Sequence, residues 1–179
     1  LKIFLTHGYY LNSDPNEMRI MKPYVPLGIL YISAYLKQNG FETTVYDSTF
    51  RSFDEQKKAL IAEKPDVIAI YCNLMTKLNV LPLVKFIRQS DEIKSSKIIL
   101  GGPEPPFHAA EFLNYGADVI VEGEGEETML ELFRELTNPE SDLSRVNGIY
   151  FKRNGTVVKN PPREKIKDID VLPFPDRTA

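Results

Sequence analysis

Along the first 138 residues, a short apolar run followed by a longer segment with apolar positions three and four apart recurs five times. Apolar runs without a polar face, separated by helical periodicity, occur where a parallel sheet is covered by helices, so the pattern predicts an open α/β sheet. The expected strands cover residues 2–6, 42–46, 67–72, 97–100 and 119–122, which are rich in Val and Ile and free of interior proline. Helices are expected around Leu27, Leu30, Tyr31 and Ala34, over 54–63, around Val80, Val84 and Ile87, over 107–115, and around Met129, Leu132, Phe133 and Leu136. Asn39-Gly40 and Gly116 stand where left-handed helix caps belong. Beyond the last helix, residues 146–152 and 156–159 flank Arg153-Asn154-Gly155, a hairpin with Asn-Gly in its turn that either extends the sheet or covers an edge. The expected fold is thus α/β and doubly wound (flavodoxin-like), a five-stranded parallel sheet in the order 2-1-3-4-5 with a C-terminal β-hairpin. The α/β domain takes residues 1–138 and the hairpin 139–159, and the proline-punctuated, charged segment 160–179 reads as a linker.

Composition narrows the partners. The chain has 179 residues, 42% of them hydrophobic, enough for one core. Acidic residues outnumber basic ones 25 to 22, scattered without a basic stripe, which argues against nucleic acid. No apolar run is long enough to span a bilayer and no signal peptide opens the chain, so a soluble cytoplasmic protein with no membrane partner is expected. The single cysteine, Cys72, excludes a disulfide framework, a thiolate zinc cage and a 4Fe-4S cluster built from this chain. A start at Leu1 and a stop in a proline-containing segment read as a piece of a longer protein.

In an open α/β sheet, ligands bind beyond the carboxyl ends of the strands. Four of those ends carry unusual connections: the long stretch 7–26, Cys72-Asn73-Leu74-Met75-Thr76, Gly101-Gly102-Pro103-Glu104-Pro105-Pro106, and Glu122-Gly123-Glu124-Gly125-Glu126-Glu127-Thr128. Each also has a plain structural reading. Gly101 and Gly102 satisfy a tight turn, and Glu126 and Glu127 favour the start of a helix. Cys72 fits a buried apolar site as well as a nucleophile, although the 2-1-3-4-5 order brings His7 near it and leaves a Cys-His pair open. Asp47 follows the second strand where dinucleotide-binding folds keep a ribose-binding acid, but the glycine fingerprint after the first strand is missing, as is any P-loop.

Together, these blocks resemble one family. Val25-Pro26-Leu27-Gly28-Ile29-Leu30-Tyr31, Asn39-Gly40-Phe41-Glu42, Tyr46-Asp47, Lys64-Pro65-Asp66-Val67, Leu100-Gly101-Gly102-Pro103 and Glu122-Gly123-Glu124-Gly125-Glu126-Glu127-Thr128 resemble the N-terminal cobalamin (B12)-binding domain of B12-dependent radical S-adenosylmethionine (SAM) enzymes, including the anaerobic Mg-protoporphyrin monomethyl ester cyclases and related methyltransferases. The tail with Asn160-Pro161-Pro162-Arg163 and Leu172-Pro173-Phe174-Pro175 is similar to the family's connector to the radical SAM barrel. The resemblance implies a corrin over the carboxyl edge of the sheet, with its nucleotide tail reaching into the domain. A broad, flat ring with amides around its rim needs glycines for close approach and scattered donors and acceptors. The cofactor-binding residues it implies are Tyr9, Tyr10, Leu27, Gly28, Asn73, Thr76, Gly101, Gly102, Pro103, Glu122, Gly123, Glu124, Gly125 and Thr128. Many B12 domains carry Asp-x-His-x-x-Gly after the first strand. The aligned Leu5-Thr6-His7-Gly8-Tyr9-Tyr10 keeps the imidazole but lacks the Asp and the final Gly, so His7 is a candidate cobalt ligand and the lower axial position stays unassigned.

With cobalamin as cofactor, this chain is expected to be silent alone. The 4Fe-4S cluster and S-adenosylmethionine would belong to a radical SAM barrel domain in cis, acting on a small-molecule substrate by methyl transfer or cyclase chemistry. The alternative is a degenerate B12-like docking or substrate-presenting domain without cofactor.

Overall fold

The computed structural model describes residues 1–178. Five parallel strands, β1 (Ile3–His7), β2 (Thr43–Tyr46), β3 (Val67–Tyr71), β4 (Lys97–Gly101) and β5 (Val119–Val121), lie in the order β2-β1-β3-β4-β5, as the alternation predicts. The hairpin, β6 (Ile149–Arg153) and β7 (Thr156–Lys159), resolves the alternative left open above. β6 pairs antiparallel with β5, so the sheet is mixed and has seven strands rather than five. Asn154 and Gly155 both take positive φ in its turn, as a two-residue hairpin loop requires.

Six helices connect the strands: α1 (Pro15–Ile20), α2 (Leu27–Gln38), α3 (Phe53–Glu63), α4 (Lys77–Gln89), α5 (Ala109–Tyr115) and α6 (Gly125–Thr137). α3 opens on a capping box between Ser52 and Glu55. The one helix that periodicity does not predict is α1, inside the long first connection. It forms because Asp14 caps it, accepting from the N–H groups of Asn16 and Glu17, and Pro15 occupies the first turn. No helix of the described residues is long and apolar enough to cross a membrane.

Strand side chains alternate between two cores. Phe4, Ile68, Ile70, Ile98, Leu100 and Ile120 pack with α3, α4 and α5. Ile3, Leu5, Val67, Ala69, Ile99, Val119 and Val121 pack with α2 and α6 on the opposite face.

The segment beyond β7 is tied down rather than trailing. The Asn160 side-chain amide donates to the carbonyls of Leu143 at 2.7 Å and Val146 at 2.6 Å. Arg163 reaches α6, donating from Nε to Thr128 Oγ1 at 2.8 Å and pairing with Glu127 and Glu131. Asp176 reaches α2, where its carboxylate accepts from Ser33 Oγ at 2.7 Å and Lys37 Nζ at 2.6 Å and its N–H donates to the Leu30 carbonyl. The last residue of the expected linker, Ala179, lies outside the described residues.

Candidate functional site

The register of the sheet aligns His7, Tyr71 and Gly101 as neighbours on β1, β3 and β4, at the carboxyl edge. By alternation they face the α2–α6 side, one step above the row Leu5, Ala69 and Ile99. Two of these six positions are small, Ala69 and Gly101, in strands that are otherwise bulky. The space they leave is an apolar cavity of about 240 Å³ floored by Leu5, Ala69, Ile99 and Val121, walled by Ile29 and Ile32 of α2 and Met129 of α6, and edged by Gly28, Gly101, Gly102, Gly123, Glu124, Gly125 and Glu126. A second space of about 290 Å³ opens above it between the first connection and β3, lined by His7, Tyr9, Tyr24, Val25, Pro26, Leu27 and Thr76. Gly28, Ile29 and Tyr71 line both.

The glycines divide by cause. Gly102 and Gly123 have positive φ, and a Cβ on Gly102 would meet the Cys72 carbonyl at 2.4 Å. A Cβ on Gly125 would meet Ile32 at 2.8 Å, so this glycine lets α6 approach α2. Gly28 and Gly101 have no such reason. Around Gly28 nothing lies within 4 Å of an added Cβ, and at Gly101 the nearest atom is Val121 Cβ at 3.9 Å. A glycine in a helix or strand costs about 0.5–1 kcal/mol against alanine, and here the lost side chain leaves only open cavity wall. The protein's own packing does not fill that apolar space.

Polar groups at the same edge form a closed network. Tyr9 N–H can only donate, so His7 Nδ1 accepts it at 3.1 Å and Nε2 carries the proton to Asp47 Oδ1 at 2.9 Å. Burial raises the Asp47 carboxyl, but the hydrogen bonds from His7 and Thr49 outweigh it and hold the group at about 2. Asp47 therefore anchors the first connection through His7, and both ring nitrogens of His7 are already bonded. Tyr9 is pushed up by burial and by its hydrogen bond to Glu17, so its phenol stays protonated; its ring stacks on Tyr24. Glu126, at the head of α6 and on the cavity edge, is raised mainly by burial.

The Cys-His pair does not form. Cys72 is fully buried against α4, its Sγ faces the Asn73 carbonyl, and burial together with Glu104 pushes the thiol up to about 12.

Of the residues expected from the sequence, Tyr9, Leu27, Gly28, Thr76, Gly101, Gly102, Gly123, Glu124 and Gly125 line the two cavities. The other five lie outside their linings. Tyr10 is buried, with its hydroxyl donating to Gln56 and its ring edge-on to Phe53. Asn73 shapes the turn below Thr76 by accepting the Thr76 N–H at 2.9 Å. Pro103 is exposed, Glu122 pairs with Lys159 and Tyr150 of the hairpin, and Thr128 is fully buried, holding Arg163. Tyr71, Ala69, Ile32 and Met129 also line the lower cavity and belong to no site motif. The signal available for them was period-two alternation, which puts Ala69 and Tyr71 on the face of Leu5.

Around this edge the surface is apolar. Met18, Ile20, Met21, Tyr24, Val25 and Leu27 of the first connection, Leu74, Met75 and Leu78 after β3, and Phe107 after β4 are each at least 45% exposed.

Comparisons with known proteins bear on the family and the fold. The chain is 31% identical over 152 residues to the anaerobic magnesium-protoporphyrin IX monomethyl ester cyclase of Synechocystis sp., an alignment covering 82% of this chain and 30% of that protein. It thus spans less than a third of that relative's length. Among solved structures, the cobalamin-dependent S-adenosylmethionine radical enzyme OxsB with aqua-cobalamin bound superposes with a TM-score of 0.79 at 24% identity, covering 98% of this chain and 24% of that one. The radical S-adenosylmethionine methyltransferase TsrM from Kitasatospora setae superposes with a TM-score of 0.70 at 20% identity, covering 91% and 30%. These two likenesses bear on the fold. The profile of the B12 binding domain matches residues 20–133, and with well over half of its length inside that match, the chain belongs to the B12 binding domain family.

Proposed function

We propose that this chain is the cobalamin-holding module of a radical SAM enzyme and carries no chemistry by itself. The observation that supports the reading best is the pair of joined cavities at the carboxyl edge, kept open by Gly28 and Gly101 where packing within the protein gives no reason for glycine. Cobalamin supplies a cobalt–carbon bond for methyl transfer or radical chemistry. This chain's own part is to bind and orient it. Leu5, Ile29, Ile32, Ala69 and Met129, which line the apolar lower cavity, would hold the nucleotide tail. Tyr9, Leu27 and Thr76, which line the upper space, would hold the ring. His7 holds Tyr9 in place through its bonded ring nitrogens and is a positioning residue, not a cobalt ligand. The exposed apolar side chains around the edge are the surface for a radical SAM barrel in cis, which would bring the 4Fe-4S cluster, S-adenosylmethionine and the small-molecule substrate.

Titration of the chain with hydroxocobalamin, followed by its visible spectrum and by co-elution in gel filtration, tests the reading. Stoichiometric retention at micromolar concentration is expected. Absence of retention both here and in the full-length protein refutes it and favours the cofactor-free docking domain.

A further inference from the structure

The lower and upper cavities meet at three residues, Gly28, Ile29 and Tyr71. A ligand that fills both has to pass its connecting chain between them. Of the three, only Tyr71 carries a polar side-chain group. Its hydroxyl makes no hydrogen bond among the described residues, whereas Tyr9 and Tyr10 both spend theirs on the protein. The Tyr71 ring is also fixed in place. It packs on the α2–α6 core, and its ring carbons lie 3.0 and 3.1 Å from where a Cβ of Gly102 would stand, so the absent side chain at Gly102 makes room for it. A half-buried phenol on the wall shared by both cavities, with no acceptor among the described residues, is free to donate to a ligand there.

We infer that Tyr71 is the specificity residue of this site: its hydroxyl donates to the phosphodiester that tethers the nucleotide base to the corrin, and so selects complete cobalamins over corrinoids that lack the tail. This rests on the cobalamin reading above and deepens it. A phosphodiester is an anionic acceptor, and hydrogen bonds to charged groups are the stronger class. A corrinoid without phosphate and base would occupy the upper space alone and leave Tyr71 unpaired.

Equilibrium dialysis read at the corrin absorbance tests this with two probes, hydroxocobalamin and diaquacobinamide, the same ring without the nucleotide. Tyr71→Phe keeps the ring against Gly102 and removes only the hydroxyl, and an unchanged thermal midpoint certifies the fold. The variant should bind hydroxocobalamin about tenfold more weakly while its affinity for diaquacobinamide stays within twofold of the parent's. Equal losses for both probes, or none for either, overturn the inference and leave the cobalamin reading standing. If the unaltered chain and the full-length protein retain neither probe, that reading falls and the inference falls with it.

Discussion

Gly101→Val should move stability and ligand binding in opposite directions. Gly101 ends β4 beside Tyr71, its φ lies outside the left-handed region, and an added Cβ meets nothing closer than Val121 Cβ at 3.9 Å. Valine therefore fits the backbone and a pleated strand. It removes the backbone entropy that glycine loses on folding, about 0.5–1 kcal/mol, and fills apolar space at about 0.8 kcal/mol per buried methylene. The empty protein should gain about 1–2 kcal/mol, a rise of several degrees in thermal midpoint. The same side chain occupies the wall of the 240 Å³ cavity. Forcing a ligand against it costs about 1–3 kcal/mol, so hydroxocobalamin should bind roughly 5–150-fold more weakly. Differential scanning calorimetry and visible-absorbance titration on one preparation read both quantities. Loss of stability in step with binding would mean that the position is already packed, and unchanged binding would mean that the cavity is not where the ligand goes. Either result refutes the argument.

Four further outcomes concern Asp47, Cys72 and Asp176. Asp47 is held at about 2 against an ordinary 3.8, so its contribution is complete above pH 4 and is lost as pH falls toward 2; Asp47→Asn should flatten the fall of the thermal midpoint over that window, and an unaltered slope would show that the His7 pairing adds nothing. Cys72→Ala should cost about 1 kcal/mol through the void it leaves and leave corrinoid affinity unchanged. Consistent with a thiol pushed up to about 12, native Cys72 should resist a thiol reagent at pH 8; rapid labelling of the folded protein would contradict its burial. Asp176→Ala should remove the anchor on Ser33 and Lys37 and speed tryptic cleavage at Lys165 and Lys167 several-fold. Equal cleavage rates would show that the segment is held elsewhere.

Much of the fold was legible because it is written in short-range pattern. Val67-Ile68-Ala69-Ile70 and Ile98-Ile99-Leu100 have no polar face, so they had to be central strands, and the order 2-1-3-4-5 is one of the two common in doubly wound sheets. The helix α1 was not legible: six residues with no buried member hold together by a cap and a tyrosine–glutamate bond, not by an apolar stripe. The site was half legible. Glycines at strand ends stood out, whereas Ala69 looked like ordinary core until the register put it in one row with Leu5 and Ile99. Pairing across elements was invisible. The partner of His7, Asp47, comes from just after β2, forty residues away, instead of two residues before it, and no local motif encodes that contact.

The turn at the head of α6 joins the lower cavity to the segment beyond β7. Its glycines, Gly123 and Gly125, edge the lower cavity, while Glu124 accepts the Ile166 N–H at 2.7 Å and Thr128 holds Arg163. The same segment continues to Asp176 on α2. It therefore ties together the two helices whose inner faces wall the cavity, fastening α6 at its first turns and α2 at its middle. Arg163 and Asp176 are both largely buried on their side chains, and both are charged. Burying such groups is costly unless they are fully bonded, so the fastening holds in one register or not at all. A flexible spacer would need neither residue. Holding at fixed separation the two helices that wall the cavity does. The tail thus sets the spacing of those two helices, although none of its described residues lines either cavity.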